Sequence, residues 1–325
     1  MSGLSDAAIR RLRDAADAPD MSGTKYEIIE RVGQGGMGTV YRARDRELGR
    51  DVALKVVRLP EMSSDVATRM LREARTLAQL EHPGIVPVHD VGTLADGRAF
   101  YAMKLVRGLL LDALPASPAA ERLTIVERIC EAVAFAHAHG VIHRDLKPQN
   151  VMVGPFGEVL VMDWGVAKLI ADVEQTLGTG GTSPSTRSAS TATGDGVVVG
   201  TPGYMAPEQA TGDPALVGAR ADVYAIGAIL RDLAQTSRQT GSGALSRPLR
   251  AIIAKAMATD PAQRYPDVMA LARDVAAFRA GNPVSAYRET VFERVRRFTV
   301  RYSTPILLVL AYLIMRVTFL ALAGR

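Results

Sequence analysis

Apolar and polar positions change their period once along this chain. Between residues 26 and 106 they alternate in short runs, at 26–32, 39–44, 51–58, 85–92 and 100–106. That is the period-2 signature of half-buried strands. The breaks between runs carry turn residues, Arg46-Glu47-Leu48-Gly49 and Ala95-Asp96-Gly97 among them. One stretch, 65–80, instead places Met70, Ala74, Leu77 and Leu80 near helical spacing. The pattern predicts a small antiparallel sheet with one helix. After Gly108 the period lengthens: amphipathic helices are expected at 121–139, stopping at Gly140, and at 221–235, 249–258 and 267–280. Short strands should flank Gly154-Pro155-Phe156-Gly157. There is no internal repeat.

Three stretches lack this patterning. Residues 1–24 are rich in Ala, Asp and Arg and read as a loose leader with one short helix at 7–18. They are too polar for a signal peptide. Residues 174–199 are rich in Gly, Ser and Thr without an apolar period, and a loop of that length inside a compact domain is usually functional or disordered. Residues 306–323 are apolar except for Tyr312, Arg316 and Thr318. Their eleven Leu, Ile, Val and Phe residues favour membrane insertion by about 3–7 kcal/mol. Arg316 opposes by about 2.5–3.5 kcal/mol, less if it snorkels, so insertion wins narrowly over a helix docked on a partner.

Composition narrows the class. With 325 residues, 48% hydrophobic and 22% charged, the body is that of a soluble globular protein, which excludes a mostly disordered chain and a multi-span membrane protein. The single cysteine, Cys130, excludes an intrachain disulfide framework and a Cys-rich zinc module, and is compatible with a reducing compartment. The net charge of +5 is local. From residue 285 onward seven arginines face only Glu289 and Glu293, so residues 1–284 are neutral and argue against nucleic-acid binding.

Several motifs carry chemistry. Gly33-Gln34-Gly35-Gly36-Met37-Gly38 is a GxGxxG run. A dinucleotide-binding turn needs a helix next and an acid some twenty residues on, but Thr39-Val40-Tyr41-Arg42 alternates like a strand and position 53 is Ala. A plain Gly-rich hairpin and a hairpin folded over a triphosphate both stay open, because residues without Cβ let N–H groups approach phosphate oxygens. Val52-Ala53-Leu54-Lys55 places a lysine in an apolar strand, where it calls for an anion or a carboxylate, and Glu73 is a candidate. The alternative is two unrelated surface charges. His143-Arg144-Asp145-Leu146-Lys147-Pro148-Gln149-Asn150 puts acid, cation and amide at i, i+2 and i+5 in one loop. That set suits a base, a phosphate neutraliser and a metal ligand. Asp163-Trp164-Gly165 adds a second carboxylate, and oxygen donors without a Cys/His set suit Mg²⁺. His137, His139, His143 and Cys130 invite a zinc site, but the helix stops at Gly140 and nothing makes them converge. Trp164 reads as a packing residue.

Taken in order, GxGxxG, VALK, helical Glu73, HRDLKPQN, DWG and Ala206-Pro207-Glu208 resemble the protein kinases. The likeness is greatest to bacterial eukaryotic-like Ser/Thr kinases of the transmembrane type, through Gly35-Gly36-Met37-Gly38 and the run from Gly200 to Glu208. It covers residues 26–278. The resemblance implies an α+β, bilobal fold, with a small β-rich N-lobe (25–107) and a larger helical C-lobe (108–280). The leader (1–24) precedes them, and a basic juxtamembrane segment (281–304) and a transmembrane helix (305–324) follow. Gly33, Gly35 and Gly38 would cover the phosphates of ATP, with Val32 beside them. Val40, Ala53 and Met152 would sandwich adenine, and Met103 to Val106 would form the hinge. Lys55 would hold the α- and β-phosphates and pair with Glu73. Asp145 would orient and deprotonate the acceptor hydroxyl, Lys147 would neutralise the γ-phosphoryl group, and Asn150 and Asp163 would hold Mg²⁺. Lys147 further implies protein substrates with Ser/Thr rather than Tyr acceptors. Glu208 would pair with Arg264, and Asp222 would anchor the catalytic loop from below.

The sequence departs from the family at Trp164, where Phe is usual, at Lys104, where Glu is common, and at 235–249, which lacks a Gly-x-x-Pro-Phe segment. The resemblance implies activation by phosphorylation in the 174–199 region, at Thr193, with the phosphate pairing to Arg144 and Asp195 mimicking a second charge. The arginines at 288–301 place the kinase on the cytoplasmic side of a cell membrane, near anionic lipids, with no extracytoplasmic sensor encoded. A homodimer is allowed. An active kinase and a catalytically dead kinase-fold scaffold are the two readings to separate.

Overall fold

The computed structural model describes residues 19–35, 38–57, 77–164, 203–211, 217–239 and 245–323. Glu73, most of the helix expected at 65–80, the leader helix, the loop at 174–199 with Thr193, and Gly165 lie outside the described residues.

The first lobe is one antiparallel sheet in the order β1-β2-β3-β5-β4. Its strands are β1 (Tyr26–Gly35), β2 (Gly38–Asp45), β3 (Arg50–Val57), β4 (Val88–Thr93) and β5 (Ala99–Lys104). The alternation in β3 sorts its two faces. Val52, Leu54 and Val56 join Tyr26, Tyr41, Leu94, Phe100 and Ala102 in one core. Ala53, Lys55 and Val57 point the other way, and Val57 packs with Ala99 and Tyr101 there. Register puts Val40 and Tyr101 opposite Lys55, and Met103 opposite Ala53, so all five share the second face.

The run expected at 85–92 is corrected to a strand that begins only at Val88. Ile85 leaves this sheet and bridges Val161, while the Val161 N–H donates to Gly84 O at 2.8 Å and the Val86 N–H to Val161 O at 3.2 Å. Pro87 has no N–H to give a ladder. This stretch therefore ties one lobe to the other.

The second lobe has a three-stranded sheet, β6 (Leu109–Leu110), β7 (Val151–Val153) and β8 (Val159–Val161), and a set of helices. Helix α1 (Ala119–Ala138) packs against α2 (Ala219–Gln239), α4 (Val268–Arg279) and β8, and α3 (Arg247–Ala256) packs on α2 and α4. Ile129, Val133, Ile226, Ile229, Ile252 and Leu271 are among the side chains at its centre. Gly140, at φ 77°, ends α1 as its sequence predicts: the Val141 N–H folds back to Ala136 O at 2.9 Å, a closure that favours a residue without Cβ. Two helices follow, α5 (Val291–Arg301) and α6 (Ser303–Ala323). The basic segment at 281–304 thus contains a helix. Among the described residues, no helix is long and apolar enough to cross a membrane; the described side chains of α6 are those at 307–316 and 319.

Candidate active site

The loop from His143 to Asn150 is held from beneath by one carboxylate. Asp222, at the start of α2, is 1% exposed. Its Oδ2 accepts the His143 N–H at 2.8 Å and His137 Nε2–H at 2.8 Å, and its Oδ1 accepts the Arg144 N–H at 2.9 Å. Burial alone would raise its pKa. The bonds from His137 and from the His143 N–H outweigh that and hold it below the usual carboxylate range. Arg144 sits at φ 64°, a left-handed conformation that costs a residue with Cβ about 1–3 kcal/mol. Its N–H is taken by Asp222, and its carbonyl accepts from Gln209 Nε2 at 2.7 Å.

His143 links this loop to the strand that delivers Asp163. Its Nε2–H donates to Met162 O at 2.9 Å, and its ring lies 4.8 Å from that of Trp164. Its Nδ1 therefore faces the Asp145 N–H, at 3.4 Å, as an acceptor, which fits a neutral imidazole. Burial pushes its pKa down despite the carboxylates of Asp222, Asp145 and Asp163. Trp164 is 6% exposed and donates Nε1–H to Val161 O at 3.3 Å, so the packing role expected of it is what the structure shows.

Around this frame the chemical groups meet. Lys147 Nζ donates to Asp145 Oδ2 at 2.9 Å. Asn150 Nδ2 donates to Asp145 O at 2.7 Å and reaches its Oδ2 at 3.3 Å, while Asn150 O accepts the Met162 N–H at 2.8 Å. Asp163, at φ 55°, accepts from Lys55 Nζ at 2.6 Å. Lys55 is 7% exposed, with its ammonium 5.8 Å from the centre of the Tyr101 ring. Burial opposes its charge, and Tyr101 and the Asp163 carboxylate together more than compensate, so its pKa stays above the ordinary lysine range. The pairing of Lys55 with Glu73 falls outside the described residues; the partner found is Asp163.

On the cleft face of the sheet, Ala53 is buried and Val40 and Met103 are half-buried. Met152 is half-buried in β7 and Val106 half-buried past β5, whereas Val32 is exposed. At Gly33 and Gly35 a Cβ would meet nothing within 4 Å among the described residues. At Gly38, with φ 148°, a Cβ would collide with the Val56 carbonyl oxygen. Only glycine lets β2 start there.

Asn150 and Asp163 suit a hard divalent cation. Asn150 spends Nδ2 on Asp145 and keeps Oδ1, and Asp163 keeps Oδ2 beside its bond to Lys55. Among the described residues there is no cluster of three or more His, Cys, Asp or Glu. Asn150 Oδ1 and Asp163 Oδ2 are oxygens of the kind Mg²⁺ takes, one or two from protein with substrate phosphates and water completing its shell. The residues of the zinc alternative point elsewhere: His137 to Asp222, His139 to Phe135 O, His143 to Met162 O, and Cys130 into the core.

Two partners escaped sequence reading, His137 for Asp222 and Gln209 for Arg144. Their only signal was position, at a helix end and just after Ala-Pro-Glu. The ion pair of Arg264 with Glu208 is present, bidentate at 2.6 and 2.7 Å, and Arg264 also donates to the carbonyls of Ala258, Thr259 and Arg220.

A thin sheet with a buried lysine, set over a helical lobe that offers acid, lysine and amide from one loop, defines a two-lobed fold of the phosphotransferase class. Residues 26–271 match the model of the protein kinase domain, and the chain belongs to the protein kinase family. This family uses ATP and a divalent metal. Serine/threonine-protein kinase PknD of Chlamydia abortus is 34% identical over 296 residues, which is 79% of this chain and 31% of that protein. The DNA damage-responsive serine/threonine-protein kinase RqkA of Deinococcus radiodurans is 44% identical over 214 residues, 63% of this chain and 29% of that protein. The chain thus spans about a third of the length of the curated relatives it matches. The kinase domain of PknI from Mycobacterium tuberculosis aligns with a TM-score of 0.57 at 26% identity, over 79% of this chain and 96% of that one.

Proposed function

We propose that the chain is an active protein kinase that transfers the γ-phosphoryl group of ATP to Ser or Thr hydroxyls of proteins, its own loop at 174–199 included. One observation carries this: Lys147 and Asn150 both donate to Asp145, Lys55 donates to Asp163, and the Met162 N–H bonded to Asn150 O holds the segment that carries Asp163 beside that loop. In the transfer, the acceptor oxygen bonds to the γ-phosphorus, the bond from that phosphorus to the β–γ bridging oxygen breaks, and ADP leaves. Asp145 accepts the hydroxyl proton. Lys147, bonded to the same carboxylate, keeps it oriented and supplies positive charge where the phosphoryl group arrives. Lys55 anchors the nucleotide's inner phosphates from the sheet. A Mg²⁺ ion on Asn150 and Asp163 would neutralise phosphate charge.

The scaffold reading has no observation in its favour, since base, lysine and metal ligands are all present. The test is phosphate transfer from ATP with Mg²⁺. Asp145→Asn lowers kcat by roughly 10²–10⁴, and Lys55→Met abolishes detectable autophosphorylation. An unmodified chain that transfers no phosphate to itself or to Ser/Thr peptides overturns the proposal in favour of the scaffold.

The same proposal places the kinase at a cell membrane on its cytoplasmic side, anchored by α6. The support lies in the sequence. Twenty-one helical residues reach about 31 Å at 1.5 Å per residue, the thickness of a hydrocarbon core. The arginines lie just before it, as positive-inside bias requires. The full chain should resist carbonate extraction from membranes, and a chain ending at Arg301 should be released.

A further inference from the structure

The stretch leading to α5 is fastened to the C-lobe. Val284 is buried in its core. Asp274 on α4 accepts the N–H groups of Ser285 and Ala286 at 2.7 and 3.0 Å and the Ser285 hydroxyl at 2.8 Å. Thr290 and Glu293 then form a reciprocal cap: the Thr290 N–H donates to Glu293 Oε2 at 2.9 Å, and the Glu293 N–H to Thr290 Oγ1 at 3.3 Å. The Tyr287 hydroxyl donates to the same carboxylate, and Arg247 at the head of α3 lies 3.7 Å from it. Helix α5 therefore starts from a fixed point on the C-lobe.

From that point it turns its apolar side outward. Val291, Phe292 and Val295 are 76%, 78% and 55% exposed, the reverse of a surface helix facing its own core. In the sequence the same helix carries a further Phe at 298 and arginines at 294, 296, 297 and 301. The two acids nearby are engaged, Glu289 by Arg297 and Glu293 by Arg247, so the surface around the apolar side stays positive.

We propose that α5 lies in the headgroup plane of an anionic bilayer, with Val291, Phe292 and Val295 at the acyl boundary and the arginines against lipid phosphates. Through the Thr290–Glu293 cap it then fixes which side of the C-lobe faces the membrane. This rests on the reading of α6 as an anchor, since α6 begins two residues after α5 ends. Charge selects the bilayer over a second copy of the chain: two such arginine-ringed faces repel, whereas each arginine near an anionic surface strengthens binding roughly fivefold.

The test uses the full chain with Phe292→Trp, reconstituted into vesicles of phosphatidylcholine alone or mixed with phosphatidylglycerol. The parent, whose sole tryptophan is the buried Trp164, is the reference. Unchanged kinase activity shows that the fold is intact. The added indole emission should shift to the blue and be quenched by brominated lipid in the anionic vesicles, and much less in the neutral ones. Adding Arg294→Glu and Arg296→Glu should reduce the surface-bound population at least tenfold while the chain still pellets with vesicles. If the chain pellets but the indole stays open to aqueous iodide in anionic vesicles, the inference fails and the anchor stands. If the chain stays in the supernatant, the anchor fails and takes the inference with it. Shielding that depends on protein concentration and ignores brominated lipid assigns the face to self-association instead.

Discussion

In the proposed transfer the loop at 143–150 and the glycine turn at 32–38 would serve the same phosphate, yet they are built in opposite ways. The loop is over-determined. Asp222 takes three donors beneath it, Gln209 takes the Arg144 carbonyl, and His143 ties it to Met162. The turn is bare. Its register slips between Arg31 and Gly33, Val32 is 59% exposed, and among the described residues nothing stands over Gly33 or Gly35. A group that moves a proton needs a fixed distance, because small misplacements cost large factors in rate. A turn that covers a nucleotide has to admit it first, so it keeps few contacts of its own. The small lobe spends its order on Lys55, deep in β3, and leaves its rim open.

The largest effect that sharpens this contrast is at Asp222. Asp222→Ala strands the N–H groups of His143 and Arg144 and the His137 ring in a dry interior. A lost buried ionic partner of this kind costs about 3–5 kcal/mol. The variant should unfold at lower urea, and what folds should transfer phosphate far more slowly with little change in KM for ATP. A variant with near-normal kcat would show that the loop holds its shape without the carboxylate, and the contrast would collapse.

Much of this arrangement is visible in the sequence, and the part that is not has a physical reason. The alternation in β3 marks Lys55 as the polar residue on an apolar face, and Gly140 marks the end of α1. Local pattern is enough there, because the forces are local. His137 could not be read as the Asp222 partner, since the two lie 85 residues apart and a histidine near a helix end looks like any surface residue. The left-handed backbone of Arg144 and Asp163 is equally hidden, as neither side chain asks for it. Helix α5 did carry a signal, Thr290 three residues before Glu293, which the density of arginines obscured.

The next effect probes the open rim. Gly38→Ala introduces a Cβ against the Val56 carbonyl at a backbone angle that favours glycine. The expected cost is about 1–3 kcal/mol, local to the start of β2. If the nucleotide enters at this rim as proposed, KM for ATP should rise several-fold more than kcat falls. A variant that loses kcat and leaves KM alone would place the turn in the rigid half of the comparison.

The smallest effect tests the rigid half through protons. His143 is neutral in the fold, with its pKa pushed by burial below the ordinary 6.5. Unfolding at mildly acid pH lets it take up a proton that the folded state refuses. The unfolded chain binds more protons between the depressed pKa and 6.5, so stability rises with pH across that window and gains nothing further from this group above it. Asp222 titrates lower, since its depressed pKa lies under 3.8, and its contribution fades only in stronger acid. His143→Phe keeps a ring against Trp164 but removes the bond to Met162 O, at a cost of about 1 kcal/mol near pH 7.5. Lacking the imidazole, it should lose less stability than the parent as the pH falls below 6.5, so the two urea midpoints should converge. Parallel midpoints across that window would mean that the imidazole is charged in the fold. The loop would then be held by an ion pair with Asp222 rather than by the neutral lattice of bonds that sets it apart from the glycine turn.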